Sequence, residues 1–441
     1  MNREKAVLLL KNEQGRRMTA SAARISTSEG TSLEVFARSD GAEKDLKLIS
    51  KVLASGHKSV LEHQTFSIAF NDVSVLVEQF LIEFHLGSYT VKSRRYVDFS
   101  QAGFVVPEGL SGALRDGYCG RMEALFAAYE RLLALEIPRE DARFVLPYCF
   151  RSNFYVTVNA RELVYMIGQL AWGRGSRFEE LRALGLSLAE QFEEMYPGVL
   201  EKERNAVPPC APQPLPAAFR HGEARVGSAE LISAPGNGEA ALEAALAFSG
   251  RFPREDGCFL TERNMMALVR DARPRELEVL SFTFRIRDVS QAGITHFTRH
   301  RMLSLQVPNA AMALEKGDYV LPASISANAE ARAIYEAAFA EQIAAVQLLR
   351  DQGLADEYLP YFTLAGHVTD ILMTINAREL NHFLQLRTCR RAQWEIRGVA
   401  RQMLKLLQDY SEDIFWVFGP SCAVKGRCPE GRLSCGHPET R

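Results

Sequence analysis

The sequence has no excess of either charge and no apolar run long enough to cross a membrane. Its 441 residues include 52 Lys and Arg against 54 Asp and Glu, which gives no electrostatic support for binding nucleic acid. No stretch approaches the roughly 18 apolar residues of a membrane span, and the apolar stretch near the N-terminus is too short for a secretory signal. We therefore expect a cytoplasmic protein with no nucleic-acid partner and no membrane partner.

The cysteine pattern offers neither a disulfide framework nor a Cys-x2-Cys zinc knuckle. Of eight cysteines, five stand singly at 119, 149, 210, 258 and 389, and we expect reduced, mostly buried thiols. In the C-terminal tail, Cys422, Cys428, Cys435 and His437 could supply four zinc ligands. Because five and six residues separate the three cysteines, we predict no bound metal.

One sequence pattern occurs twice. Ser-Ile-Ala-Phe-Asn-Asp-Val-Ser at 67–74 recurs as Thr-Phe-Arg-Ile-Arg-Asp-Val-Ser at 283–290, an offset of 216 (290 minus 74). Val-Asn-Ala-Arg-Glu-Leu at 158–163 recurs as Ile-Asn-Ala-Arg-Glu-Leu at 375–380, an offset of 217 (376 minus 159). Two landmarks that keep nearly the same spacing in both halves indicate a tandem duplication.

A segment rich in proline, glycine and charge separates the two copies. Its centre, residues 207–216, reads Val-Pro-Pro-Cys-Ala-Pro-Gln-Pro-Leu-Pro, which is typical of a linker. Pro-Pro-Cys also surrounds the nucleophile of the cysteine-dependent thymidylate synthases, but a reactive cysteine needs a folded, electropositive pocket, so we assign Cys210 to the linker. We divide the chain into a first copy (1–200), a linker (201–225) and a second copy (226–441).

Each copy begins its shared region with a predicted strand, since apolar residues at 66, 68 and 70, and again at 282, 284 and 286, alternate with other side chains. Ser74 and Ser290 are predicted N-caps of helices through 75–85 and 291–302. A second helix begins at Asn159 and at Asn376, each followed three residues later by Glu162 or Glu379 in a variant of the capping box. We predict an α+β fold, with an antiparallel sheet carrying long helices in each half.

Candidate binding residues are concentrated in the second copy. Thr-Arg-His-Arg-Met-Leu-Ser at 298–304 lies at a predicted helix C-terminus, where cations could also be simple charged caps. On the next helix, Arg387 returns to the face of Asn376, because eleven residues at ~100° each complete about three turns. Arginine, imidazole and amide groups there suit an anionic, planar ligand such as a nucleotide, although an exposed salt-bridged face would look similar.

The order of these motifs resembles that of the flavin-dependent thymidylate synthases. The order is Gly-His-Lys-Ser-Val-Leu-Glu-His at 56–63, an alternating strand, Arg-His-Arg at 299–301, Asn-Ala-Arg, Leu-Arg and Ala-Gln-Trp-Glu-Ile at 392–396. The resemblance covers most of both halves. It implies an enzyme that binds FAD between subunits of a homotetramer, reduces it with NADPH and methylates dUMP at C5 with the methylene of a tetrahydrofolate, without a cysteine nucleophile.

The family signature, Arg-His-Arg followed by a serine-containing loop that ends in Ser-x-Arg-Tyr, is divided between the copies. The first copy has Glu-Phe-His at 83–85 but keeps Ser93, Arg95 and Tyr96. The second has Arg-His-Arg but carries Asn and Ala at 309 and 311, where the serine and arginine belong. Arg143 likewise occurs only in the first copy, and Arg387 only in the second, with Leu170 as its counterpart.

In the family, one subunit supplies each dUMP site with the Arg-His-Arg segment and the arginine that corresponds to Arg387. Its partner supplies the Ser-x-Arg loop and the arginine that corresponds to Arg143. If the two halves pair like two subunits, one composite site keeps every main part and its twin keeps almost none. The resemblance implies FAD contacts from Ser59, Glu62, Arg299, His300, Arg301, Asn376, Arg378 and His382. It implies dUMP contacts from His296, Arg299, Ser93, Arg94, Arg95, Arg143 and Arg387. The residues it assigns to catalysis are Arg387, which would favour the N3 anion of uracil and so make C5 more nucleophilic, Ser93 and His57.

Three departures from the family pattern leave alternatives open. His296 replaces a common glutamine, Val91 replaces a frequent acidic or amide residue, and Arg275 stands at the counterpart of Ser59. The substrate could therefore be another pyrimidine nucleotide such as UMP, or the chain could be a non-catalytic nucleotide- or flavin-binding relic, and His57 could be a core histidine. We expect a homodimer that imitates the family tetramer.

Overall fold

The computed structural model describes residues 5–11, 14–207 and 215–439. Cys210, with the rest of 208–214 in the predicted linker, lies outside the described residues. The chain divides into two compact units, Met1–Leu215 with Ala344–Thr363, and Pro216–Ile343 with Leu364–Arg441. Residues 344–363, which the duplication places in the second copy, thus belong to the first unit. No helix in the described part is long and apolar enough to cross a bilayer.

The first unit contains a four-stranded antiparallel sheet in the order β1-β2-β4-β3. The strands are β1 (Ala6–Lys11), β2 (Thr65–Ser74), β3 (Gly87–Val91) and β4 (Arg151–Asn159). Its α-helices are Gly15–Ile25, Ser32–Ala37, Glu43–Ala54, Val75–Leu81, Gly112–Ala134, Arg139–Ala142, Ala160–Ala171, Glu179–Glu193 and Val199–Ala206. Short 3-10 helices are Lys58–His63, Arg143–Val145 and Asp356–Phe362.

The second unit repeats this sheet in the order β6-β7-β10-β8 and adds a parallel pair, β5 with β9. The strands are β5 (Ala224–Arg225), β6 (Ser228–Ser233), β7 (Ser281–Ser290), β8 (Leu303–Gln306), β9 (Tyr319–Val320) and β10 (Val368–Asn376). The α-helices are Gly238–Ser249, Glu262–Arg270, Gln291–Thr298, Ala313–Lys316, Ala323–Ser326, Ala377–Arg387, Trp394–Tyr410, Glu412–Phe415 and Ser421–Lys425, together with Ala329–Asp351, which continues into the first unit. Short 3-10 helices are Arg275–Val279, Ala310–Met312 and Gly431–Leu433.

Two antiparallel sheets that each carry helices confirm the predicted α+β class, and the two sheets pair equivalent residues. Thr65 lies opposite Asn159 across β2 and β4, and Ser281 lies opposite Asn376 across β7 and β10. The alternating apolar side chains of β2 and β7 are buried, as the period of two predicts. The first duplicated landmark therefore lies on β2 and β7, and the second spans the ends of β4 and β10 and the start of the helix that follows each strand.

The repeated Asp-Val-Ser contains a bulge in each sheet. Residues 71 and 72 of β2 stand opposite Asn153 alone, and residues 287 and 288 of β7 stand opposite Asp370 alone. Asp72 and Asp288 have φ angles of 49° and 50°, in the left-handed region that aspartate tolerates better than most residues. Their backbone N–H groups donate to the side chains of Asn153 at 3.0 Å and Asp370 at 3.2 Å. The bulge explains why this aspartate occurs in both copies.

The two serines that follow the bulge occupy N-cap positions, but they do not make the same bonds. The Ser290 hydroxyl accepts a hydrogen bond from the backbone N–H of Gly293 at 2.9 Å, as predicted. Ser74 lacks this capping bond. Both hydroxyls donate to a buried carboxylate, Ser74 to Glu180 at 2.5 Å and Ser290 to Glu395 at 2.6 Å. These serines connect the strand end to the helix that carries the glutamate.

The helices after the two serines are shorter than predicted. They are Val75–Leu81 and Gln291–Thr298, so the prediction through residues 85 and 302 was wrong. The chain has to turn in this interval to begin β3 and β8, which pair with β4 and β10. Asn159 and Asn376 do cap their helices, each accepting a bond from the backbone N–H three residues later at 2.9 Å.

The cysteines of the described part are free thiols. Cys149 is buried, but Cys258 is exposed and the others are intermediate, so the expectation of mostly buried thiols was wrong. The thiol of the exposed Cys258 donates to the carboxylate of Glu243 at 2.8 Å.

Candidate flavin and nucleotide site

The Arg-His-Arg segment of the second unit places one histidine inside the protein between two exposed arginines. His300 lies in the turn after the helix Gln291–Thr298 and is only 2% exposed, whereas Arg299 and Arg301 are exposed. The aromatic ring of Phe383 packs edge-on against the imidazole, with centroids 4.8 Å apart. Because the turn buries only its middle residue, both guanidinium groups remain at the surface.

Both ring nitrogens of His300 are hydrogen-bonded to the helix that begins after Asn376. Nδ1 lies 2.9 Å from Oε1 of Glu379, and Nε2 accepts a bond of 3.1 Å from Nε of Arg387. An ionised carboxylate only accepts and a guanidinium only donates, so these partners select a neutral imidazole with its proton on Nδ1. Burial is the main cause that lowers the pKa of His300, and Arg387 acts in the same direction.

The remaining predicted flavin residues of this unit lie on the same helix or beside it. Asn376 is the N-cap, and Arg378 forms an ion pair with Glu278. The imidazole of His382 is exposed and lies 5.4 Å from that of His300, centroid to centroid. His296, which was predicted to contact dUMP, is buried in the helix Gln291–Thr298. The structure thus brings His300, His382 and Arg387 together, with Arg378 at the start of the same helix.

The predicted substrate residues of the first unit gather around Glu140. Its carboxylate accepts a bond of 2.7 Å from Nε of Arg95, and its backbone carbonyl accepts one of 3.1 Å from Nε of Arg143. The hydroxyl of Ser93 accepts a bond of 3.3 Å from the backbone N–H of Arg95. Two arginines and a serine held in this way place hydrogen-bond donors suited to a phosphate side by side, although the Glu140 carboxylate offsets the charge of Arg95.

Arg94 does not join this group. Its side chain is 8% exposed and is paired with the buried Glu78, which also accepts a bond of 2.7 Å from the hydroxyl of Ser152. Residues 94–96 form a turn that is closed by a bond of 3.0 Å from the backbone N–H of Val97 to the carbonyl of Ser93, and within this turn Arg94 faces the core while Arg95 reaches Glu140. The position of Arg94 is that of a structural ion pair.

The predicted catalytic residue His57 and the two flavin residues predicted in the first unit, Ser59 and Glu62, are exposed. His57 precedes the 3-10 helix Lys58–His63 and is at the surface, so it is not a core histidine. Ser59 is also exposed. Glu62 forms an ion pair of 2.6 Å with Arg161, which matches the pairing of Glu278 with Arg378 in the second unit.

The first unit differs most from the second where His300 would be. Phe84 replaces this histidine and contacts Tyr165, the counterpart of His382, with centroids 5.5 Å apart. Glu83 replaces Arg299 and pairs with Arg174 at 2.7 Å. A cavity of about 440 Å³ lies beside Tyr165, with lining residues that include Leu53, Leu61, Leu86, Val164, Arg161 and Glu162. Apolar side chains thus occupy much of the region that carries histidines in the second unit.

His300, Glu379 and His382 form the one group of three potential metal ligands in the described part of the chain, with ligand atoms within 4.8 Å of one another. The cation of Arg387 bonds to the same imidazole, which disfavours a second cation there. The tail residues Cys422, Cys428, Cys435 and His437 are not part of this group; Cys422 instead accepts a bond of 3.3 Å from the backbone N–H of Glu439.

The sequence reasoning missed two residues of the site. The sequence predicts Glu379 as part of a helix cap, but its carboxylate contacts His300; Glu140, which contacts Arg95, has no predicted role. For Glu379, the available signal was its position one turn before the His382 face of the helix. For Glu140, only its position three residues before Arg143 could have indicated the contact.

The repeated sheets, bulges and helix caps define a tandem pair of related α+β domains. The family model described as "Thymidylate synthase complementing protein" matches residues 7–198 and 231–411. The chain therefore belongs to the flavin-dependent thymidylate synthase family, and both copies match it.

Curated relatives carry the same family name. A flavin-dependent thymidylate synthase of Geobacter sulfurreducens is 39% identical over 163 residues, covering 36% of this chain and 70% of the relative. One from Nitratidesulfovibrio vulgaris is 34% identical over 200 residues, covering 43% of this chain and 79% of the relative. A solved structure of thymidylate synthase X from Helicobacter pylori with FAD and dUMP is 19% identical, with a TM-score of 0.37, covering 45% of this chain and 98% of that one.

Proposed function

We propose that the chain is an FAD-dependent, NADPH-driven enzyme that methylates dUMP to dTMP with methylenetetrahydrofolate at one composite site. The observation that carries the proposal is the complementary loss of signature residues. Arg299, His300 and Arg387 remain in the second copy, whereas Arg95 and Arg143 remain in the first. Each copy has lost what the other retains, which is the pattern expected when one of two equivalent sites is shed and the other is kept.

The residues retained in the second unit fit a flavin dinucleotide. The exposed guanidinium groups of Arg299 and Arg301 are donors for phosphate oxygens, in charge-assisted bonds of about 1.5–3 kcal/mol each when partly buried. Asn376, Arg378 and His382, on the neighbouring helix, would hold the rest of the cofactor. Ser59 and Glu62 of the first copy would add to this set. When bound, FAD would supply the reducing equivalents for the new methyl group.

The chain's own contribution to the chemistry would be to bind and polarise the pyrimidine nucleotide. Arg95 and Arg143, with Ser93, would hold the phosphate end of dUMP, and His296 and Arg299 would contribute from the second copy. A guanidinium at Arg387 would stabilise negative charge on the N3 side of uracil, which increases the electron density at C5. His57 would lie on the flavin and folate side.

We also propose that the chain functions as a homodimer that imitates the family tetramer. Light scattering would then give a mass near twice 49.3 kDa. Mixing an Arg95→Ala chain with an Arg299→Ala chain, at a dUMP concentration too low for either variant alone to turn over, tests which copies meet. Recovered activity means that the live site spans two chains, whereas no recovery means that it lies within one chain.

The visible absorption spectrum of the purified protein is the first test of this function. We expect a bound-flavin spectrum, and oxidation of NADPH that forms dTMP only when both dUMP and methylenetetrahydrofolate are present. Replacing dUMP by UMP tests whether the departures from the family pattern at Val91 and His296 change the substrate. Bound flavin with methylation of UMP alone would reassign the substrate, and the absence of flavin binding would mean that the chain is a relic.

A further inference from the structure

Three side chains of the second unit form a continuous hydrogen-bonded chain. The carboxylate of Glu379 contacts Nδ1 of His300 at 2.9 Å, and Nε2 of the same ring accepts the Nε–H of Arg387 at 3.1 Å. Glu379 is a half-buried residue in the first turn of its helix, and Arg387 is the last residue of that helix, eight positions later (387 minus 379). The buried imidazole thus connects the two ends of one helix.

The first unit contains the matched glutamate without its two partners. Glu162 stands at the position of Glu379, but Phe84 replaces His300 and Leu170 replaces Arg387. Burial is the main cause that raises the pKa of Glu162, while Arg161 and the backbone N–H of Leu86 act in the opposite direction. Histidine and arginine have therefore been lost together in the copy that also lacks Arg299.

We propose that Glu379 is a positioning residue for the proposed reaction, because it fixes the proton of His300 on Nδ1 and leaves Nε2 as the acceptor that orients Arg387. This inference rests on the proposed function, in which Arg387 faces the uracil ring. The reverse tautomer would direct Nε2–H at the Nε–H of Arg387, and two donors cannot bond to each other. The guanidinium would then turn away from its position.

Protonation of His300 would have the same effect as the reverse tautomer, since both nitrogens would become donors. The groups that face the ring or adjoin it are Glu379, Arg387 and His382 on the helix and Arg299 and Arg301 in the turn. Only Glu379 among them is an anion, so it alone stabilises the Nδ1 proton. Its removal cannot be compensated by a neighbouring carboxylate within this set.

The tautomer of His300 can be measured without any turnover. In protein labelled with ¹⁵N-histidine, the ring signals of His300 are assigned by their loss in His300→Asn, and their long-range proton couplings identify the protonated nitrogen. We expect the Nδ1–H tautomer in the unaltered chain and in Glu379→Asp, and a mixture or the Nε2–H tautomer in Glu379→Gln. The matched control Glu162→Gln leaves the signals unchanged. An Nε2–H tautomer in the unaltered chain, or an unchanged tautomer in Glu379→Gln, overturns the proposal.

Kinetics of the same variants test the consequence for Arg387. We expect kcat to fall about tenfold or more in Glu379→Gln, with partial recovery in Glu379→Asp and no change in Glu162→Gln. Thermal melting confirms that each variant is folded, and if Glu379→Gln is not, Glu379→Asp and the unaltered chain still report the tautomer. A kcat in folded Glu379→Gln equal to that of the unaltered chain contradicts the positioning role. If the unaltered chain does not methylate dUMP, the proposed function fails, while the tautomer measurement still decides the hydrogen-bonded chain.

Discussion

Arg299 and Glu83 occupy the same position in the two copies with opposite charge. Arg299 is exposed beside His300, whereas Glu83 forms a half-exposed ion pair with Arg174. An exposed pair of this kind contributes only about 0–1 kcal/mol to stability. The same position therefore carries an exposed cation in one copy, to which we assign ligand binding as a proposal, and at most a weak surface interaction in the other.

Replacing these two residues separately tests that difference. We expect Arg299→Ala to weaken both FAD and dUMP binding, because it removes a cationic donor, and Glu83→Ala to leave both dissociation constants and kcat nearly unchanged. Fluorescence quenching of bound flavin and a dUMP titration give the constants. Loss of turnover in Glu83→Ala with normal turnover in Arg299→Ala would mean that the division between the copies arose by drift.

Arg94 and Arg95 are neighbours in sequence, yet they have different surroundings. For Arg95→Ala we expect a KM for dUMP raised about tenfold to a hundredfold, from the loss of one charge-assisted bond of about 1.5–3 kcal/mol. For Arg94→Met we expect an unchanged KM and an unfolding free energy lowered by about 3 kcal/mol, because Glu78 remains buried without its cation. Steady-state kinetics and urea unfolding measure the two effects. A raised KM in stable Arg94→Met would place Arg94 in the substrate site.

At the scale of single elements, the local patterns were predictable. The alternation of β2 and β7 and the caps at Asn159 and Asn376 depend on residues within a few positions of one another, and all four are present. The helix ends near residues 81 and 298 were not predictable, because pairing of β3 and β8 with distant strands ends those helices. The contact of Glu379 with His300 was missed for a related reason, since 79 residues separate them.

The bulge at Asp72 gives a prediction about backbone conformation. A β-branched residue at a φ of 49° is strained, whereas glycine adopts this angle freely. We expect Asp72→Val to be less stable than Asp72→Gly by about 1–2 kcal/mol in urea unfolding. The same pair of substitutions at Asp288, with a φ of 50°, provides the matched control in the second unit. Equal stability of the valine and glycine variants at both positions would contradict this explanation of the repeated aspartate.

His367, just before β10, gives a prediction about pH. Burial lowers the pKa of His367 to about 3, and its Nδ1 accepts a bond of 2.9 Å from the backbone N–H of Leu364. The unfolded chain takes up this proton near pH 6.5 and the folded one does not. Above about pH 6.5 the buried neutral His367 therefore does not reduce the free energy of unfolding. As the pH falls below this value, the free energy of unfolding decreases by up to about 1.4 kcal/mol per pH unit.

Denaturant unfolding between pH 7 and pH 5 measures this loss. We expect a steeper decline in the unfolding free energy of the unaltered chain than in His367→Gln, which has no group to protonate at that position. Parallel pH dependences of the two proteins would show that His367 does not carry the effect.

At the scale of the whole molecule, the two copies divide the residues of the family signature between them. The second unit retains the His300 group, and the first retains the cluster around Glu140. Neither unit alone has both sets. A chain that had drifted into a non-enzyme would be expected to lose residues from both sets, and here each set is complete in one copy.

The number of dUMP molecules bound per chain tests this division most directly. Equilibrium dialysis of the FAD-loaded protein against labelled dUMP should give one site per chain, and either Arg95→Ala or Arg299→Ala should weaken binding at that one site. Two equivalent sites per chain would contradict the account, as would a single site that is unaffected by one of these substitutions.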